Sequence, residues 1–381
     1  MTARMAARRS DRVLPPVHGG DVDEVTRTFG IPADRLIDFS ANINPLGPPR
    51  RALMRLAREA TDPSGLTRYP DPGYNELRQA LAAAFRVAAP GVTIANGSVA
   101  LIGAIIRTIA PRECLLATPA FAEYARALRA NGCRVRRFPL DAAREFALDS
   151  DALIEELTKH RPTMCVLINP HNPSGALTPR AQMLRVLDRA LRLKTWLVID
   201  EAFMDYVPAE TLVAEAVRSE RLVVLRSLTK FYGMPALRVG YAVSSPRTAA
   251  RIAAQLPPWP VTSLAASAAV EAVLDKQYAR RTLVSVAEQR RWLSQALGTT
   301  GVTVYPSAAN FLLLRLPASA PTSTRVRARL IRDAGVIVRD CRGFDGLSNG
   351  RFVRVAVRQR DENERLARAL GSVLEGVTHV R

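Results

Sequence analysis

The sequence predicts an α/β protein: a large domain with a mostly parallel sheet flanked by helices, plus a smaller α+β domain. Three observations carry this. Short apolar runs of strand length alternate with longer helical patterns, the rhythm of βαβ units. Residues suited to chemistry fall repeatedly just after those runs, where open α/β sheets place ligands. The chain has 381 residues and 48% hydrophobic content, enough for two domains with a sizeable core.

Strands are expected at 92–95, 114–117, 134–138, 164–168, 196–199, 222–225 and 240–243. Helical patterns at 98–109, 121–130, 151–160 and 179–191 lie between them. Pro257, Pro258 and Pro260 then break the chain, and a long helical stretch is expected over 263–297. Apolar strands at 311–316 and 351–357 suit the smaller domain. The expected division is an N-terminal arm at 1–48, a large domain at 49–260 and a small one at 261–381.

A net charge of +19 raises the question of nucleic acid. The basic residues are spread along the whole chain without interleaved aromatics, and all but four of the 54 are arginines. We read them as solvated surface, with neither nucleic acid nor membrane as partner. The longest apolar runs are far too short to span a bilayer. The basic N-terminus is followed by no apolar signal region, so a cytoplasmic protein is expected. Cys114, Cys133, Cys165 and Cys341 are scattered, without metal-ligand spacing. They read as reduced core thiols, and no metal site is expected.

Ser227-Leu228-Thr229-Lys230 follows the run 222–225 directly, with Arg238 eight residues on. Two hydroxyls and an arginine suit a phosphate dianion. A lysine beside them suits imine formation with a carbonyl cofactor. Asp200 ends the run 196–199, where a carboxylate can keep a pyridine ring protonated. Asn172 opens the second of two Asn-Pro turns in Asn169-Pro170-His171-Asn172-Pro173-Ser174-Gly175, which hold its amide rigidly, and His171 reads as a turn residue. Ser98 and Val99 open a helix after Asn96-Gly97, so their N–H groups and the helix dipole suit a phosphate. Phe121 follows Thr118-Pro119-Ala120 and suits ring stacking or core packing. Taken singly, Lys230 reads as a surface lysine and Asp200 as a helix cap; taken together, the motifs suit one site.

With these motifs the chain resembles the fold-type I pyridoxal-5′-phosphate (PLP) enzymes of the class I/II aminotransferase group over nearly its whole length. The resemblance implies that Lys230 carries the cofactor, Asp200 pairs with the pyridine nitrogen, Asn172 contacts the ring hydroxyl and Phe121 stacks on the ring. It implies that Ser98, Val99, Ser227, Thr229 and Arg238 hold the cofactor phosphate. It also implies that Tyr69 reaches the phosphate of a second subunit in a homodimer, and that Arg354 binds the substrate carboxylate. Two positions depart from the pattern: Phe203 stands where a tyrosine often adds a hydrogen bond, and Ala100 where an acidic residue is common.

Within the group, Val17-His18-Gly19-Gly20 and the segment from Ile37 through Asn42, Asn44 and Pro45 to Pro49 resemble the threonine-phosphate decarboxylases of cobalamin biosynthesis. So does Arg339-Asp340-Cys341 ahead of Arg354. The resemblance implies decarboxylation of L-threonine O-3-phosphate, a small phosphorylated amino acid, with His18, Gly19 and Gly20 as a lid over the substrate phosphate. Asn42, Arg339 and Arg354 complete the implied substrate site, and Asn310 reads as a structural amide. The alternative is an aminotransferase acting on histidinol phosphate or a related amino acid, since the histidinol-phosphate aminotransferases share the Asn-Pro step.

Overall fold

The computed structural model describes residues 19–375. It has the expected α/β architecture and falls into two compact units. The larger holds 43–286 and 307–310; the smaller, among the described residues, holds 19–42, 287–306 and 311–375.

In the larger unit, β1 (Val92–Asn96), β2 (Glu113–Thr118), β3 (Arg134–Pro139), β4 (Met164–Ile168), β5 (Trp196–Asp200), β6 (Leu222–Ser227) and β7 (Val239–Val243) form one sheet, ordered β1-β7-β6-β5-β4-β2-β3. All neighbours are parallel except β7, which runs antiparallel to β1 and β6. Strands β4, β5 and β6 are buried at every position. That is why they read as unbroken apolar runs rather than alternating ones. The helix Gly97–Ile109 buries Leu101, Ile102, Ile105 and Ile106, a helical-period stripe. It belongs to one core with Leu116, Val198 and Val223. The edge strand β3 carries Arg134 and Arg136, both paired with Glu113, and such charges discourage further strand pairing.

The expected single helix over 263–297 is two helices, Ser263–Leu274 and Lys276–Gly298. Asp275 leaves helical geometry at φ −81° and ψ 79°, and its carboxylate accepts from the Tyr278 N–H at 2.8 Å. An aspartate cap thus starts the second helix where an apolar count alone sees continuity. The units also divide the chain elsewhere than 48/49 and 260/261. Ser263–Leu274 packs on Arg50–Ala60 and Asn75–Phe85 in the larger unit, and the Tyr74 hydroxyl bonds both N and O of Val261.

The smaller unit has a four-stranded antiparallel sheet ordered Arg339–Asp340, Phe352–Ala356, Phe311–Arg315, Thr303–Val304. Ile37–Asp38 pairs in parallel with Val336–Ile337. All four cysteines are buried free thiols. No described helix is long and apolar enough to cross a membrane.

Candidate functional site

The sheet register gathers a set of polar groups at one end of the larger unit. Asn96 at the end of β1 pairs with Val239, while Ser227 at the end of β6 pairs with Gly240. The two segments therefore flank the start of β7, which follows Arg238. Gly97 opens its helix at φ +69°, a conformation that favours glycine, and a Cβ there would lie 2.8 Å from Arg238 Nη2. A Cβ at Gly240 would lie 2.5 Å from the Ser98 nitrogen. Missing side chains thus let the helix N-terminus, with its free N–H groups, approach both the strand and the guanidinium.

Ser227 and Thr229 are buried and bonded to each other through their hydroxyls at 2.7 Å. Arg238 is exposed. A helix N-terminus, two hydroxyls and an arginine form a cradle whose chemistry fits a phosphate dianion. Ser98, Ser227, Thr229 and Arg238 gather around the start of β7, and Val99 follows Ser98 in the helix.

One strand further in, Asp200 ends β5 between Ile168 and Leu225. It is buried. Its Oδ2 accepts from the Tyr124 hydroxyl at 2.8 Å and its Oδ1 from the Ala202 N–H at 3.0 Å. Burial raises its pKa, against the pull of Tyr124, the Ala202 N–H and the Lys230 charge. A buried carboxylate within the field of one lysine fits a protonated ring nitrogen. The residues present therefore fit PLP at both its phosphate and its ring.

The Asn-Pro turn is built as a rigid frame. Asn169 N–H donates to the Asp200 carbonyl at 2.9 Å, and the Asn169 amide exchanges two hydrogen bonds with Thr178, each 2.9 Å. His171 is buried, with Nδ1 2.6 Å from Ser174 Oγ and Nε2 2.7 Å from the Pro119 carbonyl. Burial lowers its pKa to about 4, so it is a neutral frame residue. Half-buried Asn172 lies between these fixed points. Half-buried Phe121 caps the helix Ala122–Ala130 and packs against the core.

Two residues absent from the sequence reading support this end of the sheet. Tyr124 is one. Arg226 is the other: fully buried, it donates to Glu201 Oε2 at 2.9 Å and Asp205 Oδ1 at 2.5 Å. The triad ties the residue before Ser227 to the residue after Asp200. The carboxylates of Glu201 and Asp205 are visible in the sequence; the cation they share is not.

In the smaller unit, Arg339 and Arg354 stand directly opposite each other on paired strands. Both are buried. Burial lowers both pKa values, Arg354's to about 10; the Arg339 charge adds to the lowering at Arg354, and the Arg327 charge to that at Arg339. Their guanidinium carbons lie 5.6 and 5.9 Å from the Phe344 ring centre. Two like charges facing each other in a buried position suit anionic ligand groups.

Arg354 Nη2 donates to the Ser40 carbonyl at 3.1 Å. The Gly20 N–H donates to Ser40 Oγ at 2.9 Å, and a Cβ on Gly19 would collide with the same Ser40 carbonyl oxygen. Gly19 and Gly20 thus dock on the residue that holds Arg354. His18 lies outside the described residues. Asn42 Oδ1 is buried without a hydrogen bond among the described residues.

In the larger unit, both amide atoms of buried Asn310 likewise lack hydrogen bonds among the described residues. Tyr69 is 79% exposed and stacks on Trp259 at 4.4 Å.

The family model "Aminotransferase class I and II" matches residues 34–370. The chain is 39% identical to a threonine-phosphate decarboxylase of Salmonella typhimurium, covering 94% of this chain and 97% of that protein. It is 34% identical to histidinol-phosphate aminotransferase 2 of Ralstonia nicotianae, covering 95% of each. In fold it matches the histidinol-phosphate aminotransferase of Sinorhizobium meliloti solved with pyridoxal-5′-phosphate, at TM-score 0.84 and 23% identity over 97% of each chain.

Proposed function

The chain belongs to the class I and II aminotransferase family, and within that family we propose that it decarboxylates L-threonine O-3-phosphate to (R)-1-amino-2-propanol O-2-phosphate. Its cofactor is pyridoxal 5′-phosphate. When bound, this group supplies an electron sink for the pair left as a bond to Cα breaks.

On this reading Lys230 is the covalent attachment point, and Asp200 keeps a proton on the ring nitrogen. Asn172 and Phe121 orient the ring, while Ser98, Val99, Ser227, Thr229 and Arg238 hold the phosphate. Arg354 takes the substrate carboxylate and Arg339 the second anionic group. Holding the carboxylate selects which bond to Cα breaks. Carbon dioxide leaves, and one proton returns to Cα. Lys230, freed from its covalent role, is one source of that proton and a site water the other.

The observation that carries the decarboxylase reading is the docking of Gly19 and Gly20 on Ser40, beside Arg354. It supports an N-terminal lid, His18-Gly19-Gly20, over the substrate's anionic end, with Asn42 nearby in sequence. The relative from Salmonella typhimurium supports the same reading.

We extend the proposal to a homodimer. Exposed Tyr69 and Trp259, with exposed Leu53, Met54 and Leu66, supply apolar surface for a second copy. Sedimentation of the holoenzyme tests this, and a monomer at micromolar concentration would contradict it.

The relative from Ralstonia nicotianae favours transamination as the second reading. The test is a substrate panel scored for carbon dioxide release and for 2-oxoglutarate-dependent transamination. Transamination of histidinol phosphate without carbon dioxide from threonine phosphate would sink the decarboxylase.

A further inference from the structure

We propose that Asn44 is a positioning residue for Lys230, clamping the main chain of the lysine from outside its own strand and turn. The Asn44 N–H donates to the Lys230 carbonyl at 3.1 Å. Its side-chain Nδ2 shares two protons among the Phe231 carbonyl at 2.7 Å, the Tyr278 hydroxyl at 2.8 Å and Thr282 Oγ1 at 2.9 Å. Its Oδ1 accepts from the Leu46 N–H at 3.0 Å, which fixes the amide's orientation. Every capacity of this one residue is engaged, and two of its contacts are the carbonyls of Lys230 and the residue after it.

The clamp is closed from the other side. Gly233 N–H donates to the same Lys230 carbonyl at 3.3 Å. A Cβ at Gly233 would lie 2.7 Å from the Gly47 carbonyl carbon, so the turn after the lysine lies flat on the turn after Asn44. The Tyr278 hydroxyl donates to the Gly47 carbonyl at 2.7 Å. Asn44, Tyr278 and Thr282 are 3%, 2% and 0% exposed, so water offers these groups no substitute partner. A fully satisfied buried network of this kind defines one geometry.

A lysine that alternates between a covalent bond and free action near the same atom needs its backbone held in one place. The reach of a four-carbon stem is set by where its Cα sits. A misplacement of about 1 Å at such a site costs on the order of a hundredfold in rate. Asn44-Pro45, which the sequence offers only as a shared Asn-Pro step, thereby acquires a role. The inference rests on Lys230 carrying the cofactor, and not on which substrate is processed.

The test uses PLP-loaded wild-type protein, Asn44→Ala and Thr282→Val, with two readouts. One is the pH titration of the visible band of the lysine-bound cofactor; the other is kcat and KM. Asn44→Ala is expected to move the titration midpoint by about half a unit and to lower kcat about tenfold, with KM within about twofold. Thr282→Val, which removes one of the amide's acceptors, moves both readouts less and in the same direction.

An Asn44→Ala protein with the wild-type midpoint and kcat overturns the proposal, as does one whose only change is a lower melting temperature. If Asn44→Ala does not fold, Thr282→Val decides on the same readouts. Borohydride separates the two levels of failure. A wild-type band that borohydride does not fix to Lys230 removes the lysine's role and the clamp with it. Normal fixing with unmoved variants removes the clamp alone.

Discussion

The Tyr124 hydroxyl lies 2.8 Å from Asp200 Oδ2, with both side chains buried. Each lies at the start or end of a different element: Tyr124 in the first turn of the helix after β2, Asp200 at the end of β5. The hydrogen bond lowers the Asp200 pKa against the larger upward push of burial. Tyr124 therefore favours the ionised carboxylate that the proposed ring-nitrogen pairing needs.

Tyr124→Phe removes this donor and nothing else of that side chain's volume. Losing a hydrogen bond to a charged group is worth about 1.5–3 kcal/mol, or roughly tenfold or more in kcat if the bond serves turnover. With one lowering influence gone, the Asp200 pKa rises. The acid limb of the kcat profile should move to higher pH, and a pH–rate series checks it.

Arg339→Met removes one of two facing buried cations. The ligand-free chain should melt higher, by about 2 °C, because an apolar side chain replaces a desolvated charge beside Arg354. The same variant should raise KM for a dianionic substrate about tenfold or more, since a charge-assisted contact is lost. Scanning calorimetry and steady-state kinetics read the two effects. A lower melting point with unchanged KM would contradict the anion-site reading.

Gly19→Ala places a methyl against the Ser40 carbonyl oxygen. The segment must lift, breaking the Gly20 contact with Ser40 Oγ. Substrate KM should rise about tenfold while cofactor retention stays at the wild-type level, because the docking lies on Ser40 and Arg354 rather than on the phosphate cradle. Equilibrium dialysis of the cofactor and kinetics of the substrate separate these.

His171 gives a pH signature of stability. Its folded pKa, about 4, lies below the ordinary histidine value of 6.5, so the unfolded chain binds more protons between those values. Stability is then full above 6.5 and falls as pH drops toward 4, by on the order of 3 kcal/mol. Urea midpoints of wild type and His171→Gln at pH 7.5 and 5 test this. The variant should lack the His171 share of the loss on acidification.

The main sheet was legible because its central strands are buried on both faces and leave uninterrupted apolar runs such as Met164–Ile168 and Trp196–Asp200. Polar residues directly after those runs were legible for the same reason: a chemistry-bearing side chain at a strand end stands out against an apolar background. The division at Asp275 was less legible, because an aspartate inside an otherwise helical pattern caps only if the backbone turns there. Arg226 was lost among the other arginines, since nothing local distinguishes a buried one from a solvated one.

The sequence by itself determined the α/β class, the lysine, aspartate, asparagine and arginine at the strand ends, and the family. The class and the strand-end residues follow from short-range patterns, apolar period and the residue after it, and the family from the resemblance that the motifs jointly carry. Only the tertiary structure decided which side chains support them. Tyr124 meets Asp200 across 76 residues, Asn44 meets Phe231 across 187, and Arg354 meets Ser40 across 314. Such pairs are set by strand order and helix packing, which no local pattern encodes.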